Sequence, residues 1–411
     1  MLLYIDPGTG SMLFTILIGV IGASIYSLRM LFIKLRQKLS GGKIEINDKK
    51  IPLVIFSDNK RYWNVFDPIC QELDNKGVDV LYLTMSEDDP AFNCSYSHVR
   101  AEYLGSENKA FARLNFLNAT ILLSTTPGLD VYQWKRSKNV DYYIHIPHAS
   151  NDITLYRMFG IDYYDAILLS GDYQIEDIRA LEKMRNLPQK ELLKVGIPYM
   201  DKAALRLENK KLPENKTKTI LLAPTWGPAA IFGTWGGKII DELLKTDYHI
   251  IIRPHPQSFD SEKELLDGLM KAFPNSERIE WNRDSDNFDV LCRSDILISD
   301  FSGVIFDFSL VHNKPVIYTN PRFDISVYDA WWLQKPLWTV SALKKLGHEL
   351  NDENINKLTD IIEECIENSQ YLKQIEEVKK ETWAYQNEGA KRVADYLISK
   401  YEALTAKKEE K

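Results

Sequence analysis

The sequence predicts an α/β chain built from two doubly wound parallel-sheet domains, preceded by an N-terminal transmembrane helix. Three observations predict it. The chain opens with an apolar run. Two series of short apolar strands then alternate with amphipathic helical stretches. A polar, lysine-rich segment containing Pro213 separates the two series. Strand–helix alternation is the pattern of a parallel sheet covered by helices on both faces.

The N-terminal element comes first. Met12–Leu28 is apolar and, with Arg29 as its one interruption, the run extends to Ile33. At ~1.5 Å per residue it is long enough to cross a hydrocarbon core of about 30 Å. No basic residue precedes it and no small-x-small site follows, which disfavours a cleaved signal peptide. A buried helix is the competing reading. Arg29, Lys34, Arg36, Lys38 and Lys43 follow the run, whereas Asp6 is the only charge before it. The positive-inside rule then places the rest of the chain in the cytoplasm, anchored to the cell membrane by residues 1–40. The same basic residues suit anionic lipid head groups.

The first alternating series gives a domain over residues 50–206. Its expected strands are Pro52–Phe56, Val78–Thr84, Thr120–Ser124, Tyr142–Ile146, Ala166–Leu169 and Leu192–Val195, with helices such as Trp63–Asn75 and Tyr173–Asn186 between them. Residues 207–219 read as a linker. The second domain, residues 220–404, has expected strands at Thr219–Ala223, Tyr248–Arg253, Arg278–Trp281, Ile296–Ser299 and Val316–Tyr318, then a charged helical part over Asn354–Tyr401. Two successive Rossmann-type domains joined in this way describe a GT-B-like architecture, in which a donor lies in the cleft between them.

Composition limits the function classes. The chain has 411 residues, 45% apolar and 27% charged, which suits two folded domains. A net charge of −7 argues against nucleic acid as a partner, because neutralising phosphates needs a basic surface. Cys70, Cys94, Cys292 and Cys365 form no CxxC pair, so no zinc site or disulfide framework is expected. No G-x-x-x-x-G-K-[ST] loop or G-x-G-x-x-G fingerprint is present, which disfavours ATP hydrolysis and nicotinamide chemistry; no cofactor is expected.

Four segments carry candidate chemistry. In ILISDFSGVIFDF (Ile296–Phe308) a strand end leads through Ser299, Asp300, Ser302 and Gly303 into a helix start. That sequence of elements is an anion site, because backbone N–H groups and the helix dipole point outward; simple helix capping by Ser302 or Asp300 is the other reading. In IIIRPHP (Ile250–Pro256) a strand delivers Arg253 and His255 to its C-terminal end, where open α/β sheets bind ligands. Here the alternative is a surface arginine and a core histidine. ILLAPTWGP (Ile220–Pro228) places Thr225 beside the cleft, with Trp226 as a donor contact or as packing. In YYIHIPHASND (Tyr142–Asp152) His148 follows a first-domain strand and precedes a helix expected near Asn151. Its imidazole suits a general base for a hydroxyl nucleophile, while His145 inside the strand reads as structural. Asp284 and Asp286 have the D-x-D form of a metal–nucleotide site but fall within a polar loop, and Trp331, Trp332 and Trp338 could line an acceptor groove but read better as packing.

The order of these segments, a first-domain His loop, APTW, RPHP and then SDFSGVIFDF, resembles the CDP-glycerol:glycerophosphotransferases, which include teichoic acid primases and polymerases of bacterial cell walls. The resemblance covers roughly Tyr142–Pro321. It implies transfer of glycerol phosphate, or a related polyol phosphate, from CDP-glycerol to a hydroxyl of a membrane-linked surface polymer, with release of CMP. It implies His148 as general base and His255 as a ligand of the donor diphosphate. Arg253, Ser299, Asp300, Ser302 and Gly303 would form the rest of that pocket. Family members usually carry His-Gly where this chain has His148-Ala149-Ser150. A GT-B glycosyltransferase using a nucleotide sugar, a nucleotide-sugar epimerase and a catalytically degenerate membrane-tethered scaffold share the fold and stay open at this point.

Overall fold

The computed structural model describes residues 50–211, 217–284, 286–320 and 324–409. The expected membrane span lies outside them. Among the described residues no helix is long and apolar enough to cross a membrane.

Ile51–Lys411 is one compact unit built on two sheets. The first sheet contains β1 (Ile51–Ser57), β2 (Val80–Thr84), β3 (Val99–Tyr103), β4 (Ala119–Ser124), β5 (Val140–His145), β6 (Ala166–Leu169) and β7 (Glu191–Lys194), in the order β3-β2-β1-β4-β5-β6-β7. The second contains β8 (Thr219–Ala223), β9 (His249–Ile252), β10 (Ile279–Trp281), β11 (Ile296–Ser299), β12 (Val316–Tyr318) and β13 (Gly347–Glu349), in the order β10-β9-β8-β11-β12-β13. All the strand pairs in both sheets are parallel.

The central strands are apolar throughout because both of their faces are covered. Leu53 and Ile55 of β1 pack with Phe66, Ile69 and Leu73 of the helix Trp63–Asn75, whereas Val54 and Phe56 face Leu114 and Trp134. In the second sheet Ile220, Leu222, Ile250, Ile252, Ile296 and Ile298 share one face; Leu221, Ile251 and Leu297 take the other. Every expected strand is present within a residue or two of its expected ends. Two strands were not expected. β3 is a half-exposed edge whose sequence, VRAEY, is interrupted by two charged residues and forms no continuous apolar run. β13 is three residues long, and its Gly347 lets the backbone reach β12: a Cβ there would fall 1.7 Å from the Val316 carbonyl oxygen.

Two boundaries differ from expectation. The expected second domain runs to residue 404, but the helix Gly389–Glu409 returns to the first sheet, where Val393, Ala394 and Leu397 pack with Leu53 and Ile55. The crossing depends on close backbone approach. A Cβ on Gly171 would lie 2.1 Å from the Glu381 oxygen, and one on Gly196 (φ +87) would lie 2.0 Å from the Ala384 oxygen. Asp201 closes the turn, its carboxylate accepting from the N–H groups of Asn387 and Gly389 and from Trp383 Nε1. In addition, the helix Pro198–Glu208 belongs to both halves. Its Met200 and the preceding Ile197 enter the second-sheet core, so the expected linker 207–219 begins inside a packed helix.

Candidate active site

In the first sheet the chain leaves β1 toward β2 and leaves β4 toward β5, in opposite directions. The crevice of a doubly wound sheet opens at such a switch point. Asp58 and Arg61 follow β1 there, and Thr125 follows β4. The loop after β5 brings His148 to the same edge, with Nδ1 3.3 Å from Thr125 Oγ1. The rings of Tyr62 and Tyr156 flank it at 4.7 and 5.9 Å. Burial and then the positive charge of Arg61 push the His148 imidazole down to about 4, partly offset by a hydrogen bond to the Thr125 backbone. His148 is therefore neutral near pH 7. The loop then enters only a short 3-10 turn, Ile153–Leu155, rather than the helix expected near Asn151. His145 is fully buried, its Nε2 3.2 Å from Tyr156 Oη, and burial holds it down to about 3.

The second sheet repeats the switch between β8 and β11. Three of the expected pocket residues have duties inside the protein. Ser299 is fully buried and its hydroxyl donates to the Ala223 carbonyl at 2.6 Å, tying β11 to β8. Asp300 is also fully buried. Its carboxylate accepts from the Thr225 N–H at 2.8 and 3.0 Å and from the Ile231 N–H at 3.2 Å. Burial raises its pKa against those bonds. Asp300 thus fixes the Thr225 loop and offers nothing to an anion. The Arg253 guanidinium is held by Asn282 Oδ1 and donates to the Asp284 carbonyl at 2.7 Å, bracing the loop after β10. Asp286 of the D-x-D stretch pairs with Arg206 at 2.9 Å. Among the described residues no cluster of three or more His, Cys, Asp or Glu is placed to hold a metal.

Half-buried at this edge, besides Arg253, are Thr225, His255, Ser302 and Gly303. The Gln257 N–H donates to His255 Nδ1 at 3.1 Å. In the neutral ring the proton then sits on Nε2, which becomes a donor. Burial, followed by the charge of Arg61, lowers the His255 pKa as well. Arg61 therefore stands within electrostatic reach of both histidines, one from each half. Ser302 Oγ accepts from the Val304 N–H at 3.4 Å, a long capping bond. The helix it caps is short: Val304–Phe306 passes straight into a π-helical stretch, Asp307–Val311. Asp307 in that stretch accepts from Tyr199 Oη at 3.0 Å, and burial pushes its carboxyl up to about 6.

The two edges meet. An ideal Cβ on Gly303 would lie 3.6 Å from Ala149 Cβ and 3.8 Å from Asn151 Oδ1. The approach is set by cross-links nearby. The Asp152 carboxylate accepts from the N–H groups of Trp338 and Thr339 at 2.9 and 2.7 Å. The Tyr173 and Trp338 rings stack at 4.1 Å. Asp329 accepts from the N–H groups of Phe159 and Gly160 and pairs with Arg185. Trp338, expected as packing, is a link between halves. Of the residues singled out in the sequence, His148, Thr225, His255, Ser302 and Gly303 stand at these two edges. Sequence reasoning missed Arg61, Tyr62, Thr125 and Tyr156, which belong to no compact motif, and it named Asn151 of YYIHIPHASND only as a helix start. Only the strand order identifies the ends of β1 and β4 as neighbours.

Two parallel sheets whose switch points open on one cleft, with a C-terminal helix crossing back, define the GT-B class. A family model described as CDP-Glycerol:Poly(glycerophosphate) glycerophosphotransferase matches residues 161–399, more than half of the chain, and the chain belongs to that family. The teichoic acid glycerol-phosphate primase of Bacillus subtilis (strain 168) is 28% identical over 180 residues, 40% of this chain and 41% of the relative. The minor teichoic acid biosynthesis protein GgaB of the same organism is 29% identical over 160 residues, 36% of this chain and 15% of GgaB. The matches thus span less than half of either relative. The wall teichoic acid polymerase TagF superposes with a TM-score of 0.55 at 17% identity, covering 87% of this chain and 90% of that one. The S. aureus MnaA–UDP structure gives 0.60 at 13% identity, covering 87% and 98%. These two likenesses show the fold.

Proposed function

We propose that the protein transfers glycerol phosphate, or a related polyol phosphate, from CDP-glycerol to a hydroxyl of a membrane-linked surface polymer. The observation that carries the reading is the approach of the His148 loop to the turn after β11, Gly303 against Ala149, with the charge of Arg61 acting on both His148 and His255. The Thr125 contacts favour a proton on Nδ1 of His148, which leaves Nε2 with the lone pair a base needs. The Gln257 N–H leaves Nε2 of His255 protonated, as a phosphate donor needs. The acceptor oxygen attacks the β-phosphorus, and its proton goes to His148 Nε2. The bond from that phosphorus to the bridging oxygen breaks, and CMP leaves with the electron pair. His255 and backbone groups near Ser302 and Gly303 neutralise charge on the diphosphate, with Thr225 at the rim. The structural duties of Ser299, Asp300 and Arg253 support indirect roles for them: they shape the pocket that the other residues line.

The apolar run Met12–Ile33 and the basic residues after it support an anchor that holds the cleft near a lipid-linked acceptor on the cytoplasmic side. The test is nucleotide release by the purified full chain with membranes, CMP from CDP-glycerol and CDP-ribitol and UDP or UMP from UDP-sugars. CMP from a CDP-polyol, with no uridine nucleotide released from the UDP-sugars, is expected. Turnover of a UDP-sugar alone, or nucleotide binding by none of them, would overturn the reading.

A further inference from the structure

Arg61 lies on the loop that leaves β1 at the first sheet's switch point. The Asn59 side chain accepts from its backbone N–H at 3.1 Å and fixes the turn. Its guanidinium lies 4.8 Å over the Tyr62 ring and donates to Tyr62 Oη at 3.0 Å. That ring in turn packs 4.7 Å from His148. The side chain is exposed, and the carboxylate that feels its charge is Asp58, with no ion pair to Arg61 among the described residues. Other cations near the two switch points are committed: Lys60 pairs with Asp88, and Arg253 is held by Asn282 and Asp284. An arginine held on an aromatic ring, with its remaining donors open beside the base, is a planar fork waiting for an oxyanion.

We infer that Arg61 is the first domain's phosphate ligand, holding one phosphoryl group on the nucleophile's side of the cleft. The inference rests on the reading of His148 as the base of a phosphoryl transfer. Two sources have this chemistry. One is the donor phosphoryl under attack. The other is a phosphate on the acceptor, adjoining the hydroxyl that attacks. In either case the guanidinium is positioned by Tyr62, so that one ring locates both the anion ligand and the base.

The experiment compares the full-length protein with Arg61→Gln and Arg61→Lys. Inorganic phosphate is titrated while the ring C–H resonances of His148 and His255 are followed by NMR, a readout that needs no turnover. Both resonances should shift in the wild type, and Arg61→Gln should require about tenfold more phosphate. Arg61→Lys keeps the charge without the fork and should fall between. Identical titrations in all three proteins would overturn the inference. Turnover then separates the sources: a KM rise confined to phosphate-bearing acceptors assigns the acceptor phosphate, whereas a fall in kcat with charged and neutral acceptors alike assigns the donor phosphoryl. A wild type that shifts with phosphate yet never turns over CDP-glycerol would defeat the reaction reading and leave the Arg61 site standing.

Discussion

Gly303 and Ala149 face one another across the cleft, close enough that a methyl on Gly303 would stand 3.6 Å from the Ala149 methyl. They come from different sheets, one from the turn after β11 and one from the loop after β5. The contact therefore measures how near the candidate base approaches the candidate donor pocket. Gly303 has φ −60 and ψ −27, a conformation open to any residue. Its lack of a side chain is thus a matter of space. Gly303→Ala should change stability by less than about 1 kcal/mol while lowering CMP release at least about tenfold. Unaltered release would mean that no ligand uses that space.

The two histidines should fail differently. His148→Gln should lower kcat by about 10²–10⁴ with little change in donor affinity, because a base acts on the nucleophile's proton. His255→Ala should instead weaken binding of CDP-glycerol and of CDP, read by calorimetry. Equal effects of both variants on affinity would remove the division of labour.

The acid limb of kcat/KM should lie well below the ordinary histidine range. Free His148 is held to about 4, first by burial and then by Arg61, with Asp58, Tyr62, His145 and Tyr156 as the other titratable neighbours. The rate should therefore persist from pH 7 to pH 5. Bound diphosphate adds negative charge and raises the imidazole again, so the limb in kcat should sit above that in kcat/KM. Arg61→Gln removes a positive charge and should move the kcat/KM limb upward.

Stability should fall on the same acid side. His145 has a folded pKa of about 3, below its unfolded value. Above pH 6.5 both states are neutral there and it contributes nothing. As pH falls from 6.5 toward 3 the unfolded chain takes the proton first, and stability is lost. At pH 5 the loss from this group is about 2 kcal/mol. Urea melts at pH 7 and pH 5 should show it, and His145→Phe should remove roughly half of the histidine-linked difference, because buried His148, held to about 4, loses a similar share.

Asp152→Ala should cost about 2–4 kcal/mol, because it strands the buried N–H groups of Trp338 and Thr339. Since Asp152 ends the His148 loop, the loss should appear in kcat as well as in the urea midpoint. Full activity in a destabilised protein would separate this link from the site.

How much of this was legible depends on the kind of signal. Continuous apolar runs such as Ile250–Ile252 and Ile296–Ile298 are strands covered on both faces, and they stand out in the sequence. β3 and β13 did not, because edge strands bury little and need few apolar residues. His148, His255 and Gly303 were legible because each sits just past a strand end. Ser299 and Asp300 sit in the same motif, and residue type alone could not distinguish a hydroxyl facing a ligand from one donated to the Ala223 carbonyl.

The sequence by itself determined the two alternating series, the family-bearing segments, and the strand ends from which the candidate site is built. Local periodicity and turn chemistry are written in neighbouring residues, so they survive without a structure. Tertiary structure alone decided that β1 adjoins β4 and β8 adjoins β11, that Gly389–Glu409 crosses back to the first sheet, and that Arg61 attends both histidines. It also decided that Asp300 braces the Thr225 loop while Gly303 meets Ala149. These are relations between segments distant in the chain, fixed by packing and by the satisfaction of buried N–H groups, and no single segment encodes them.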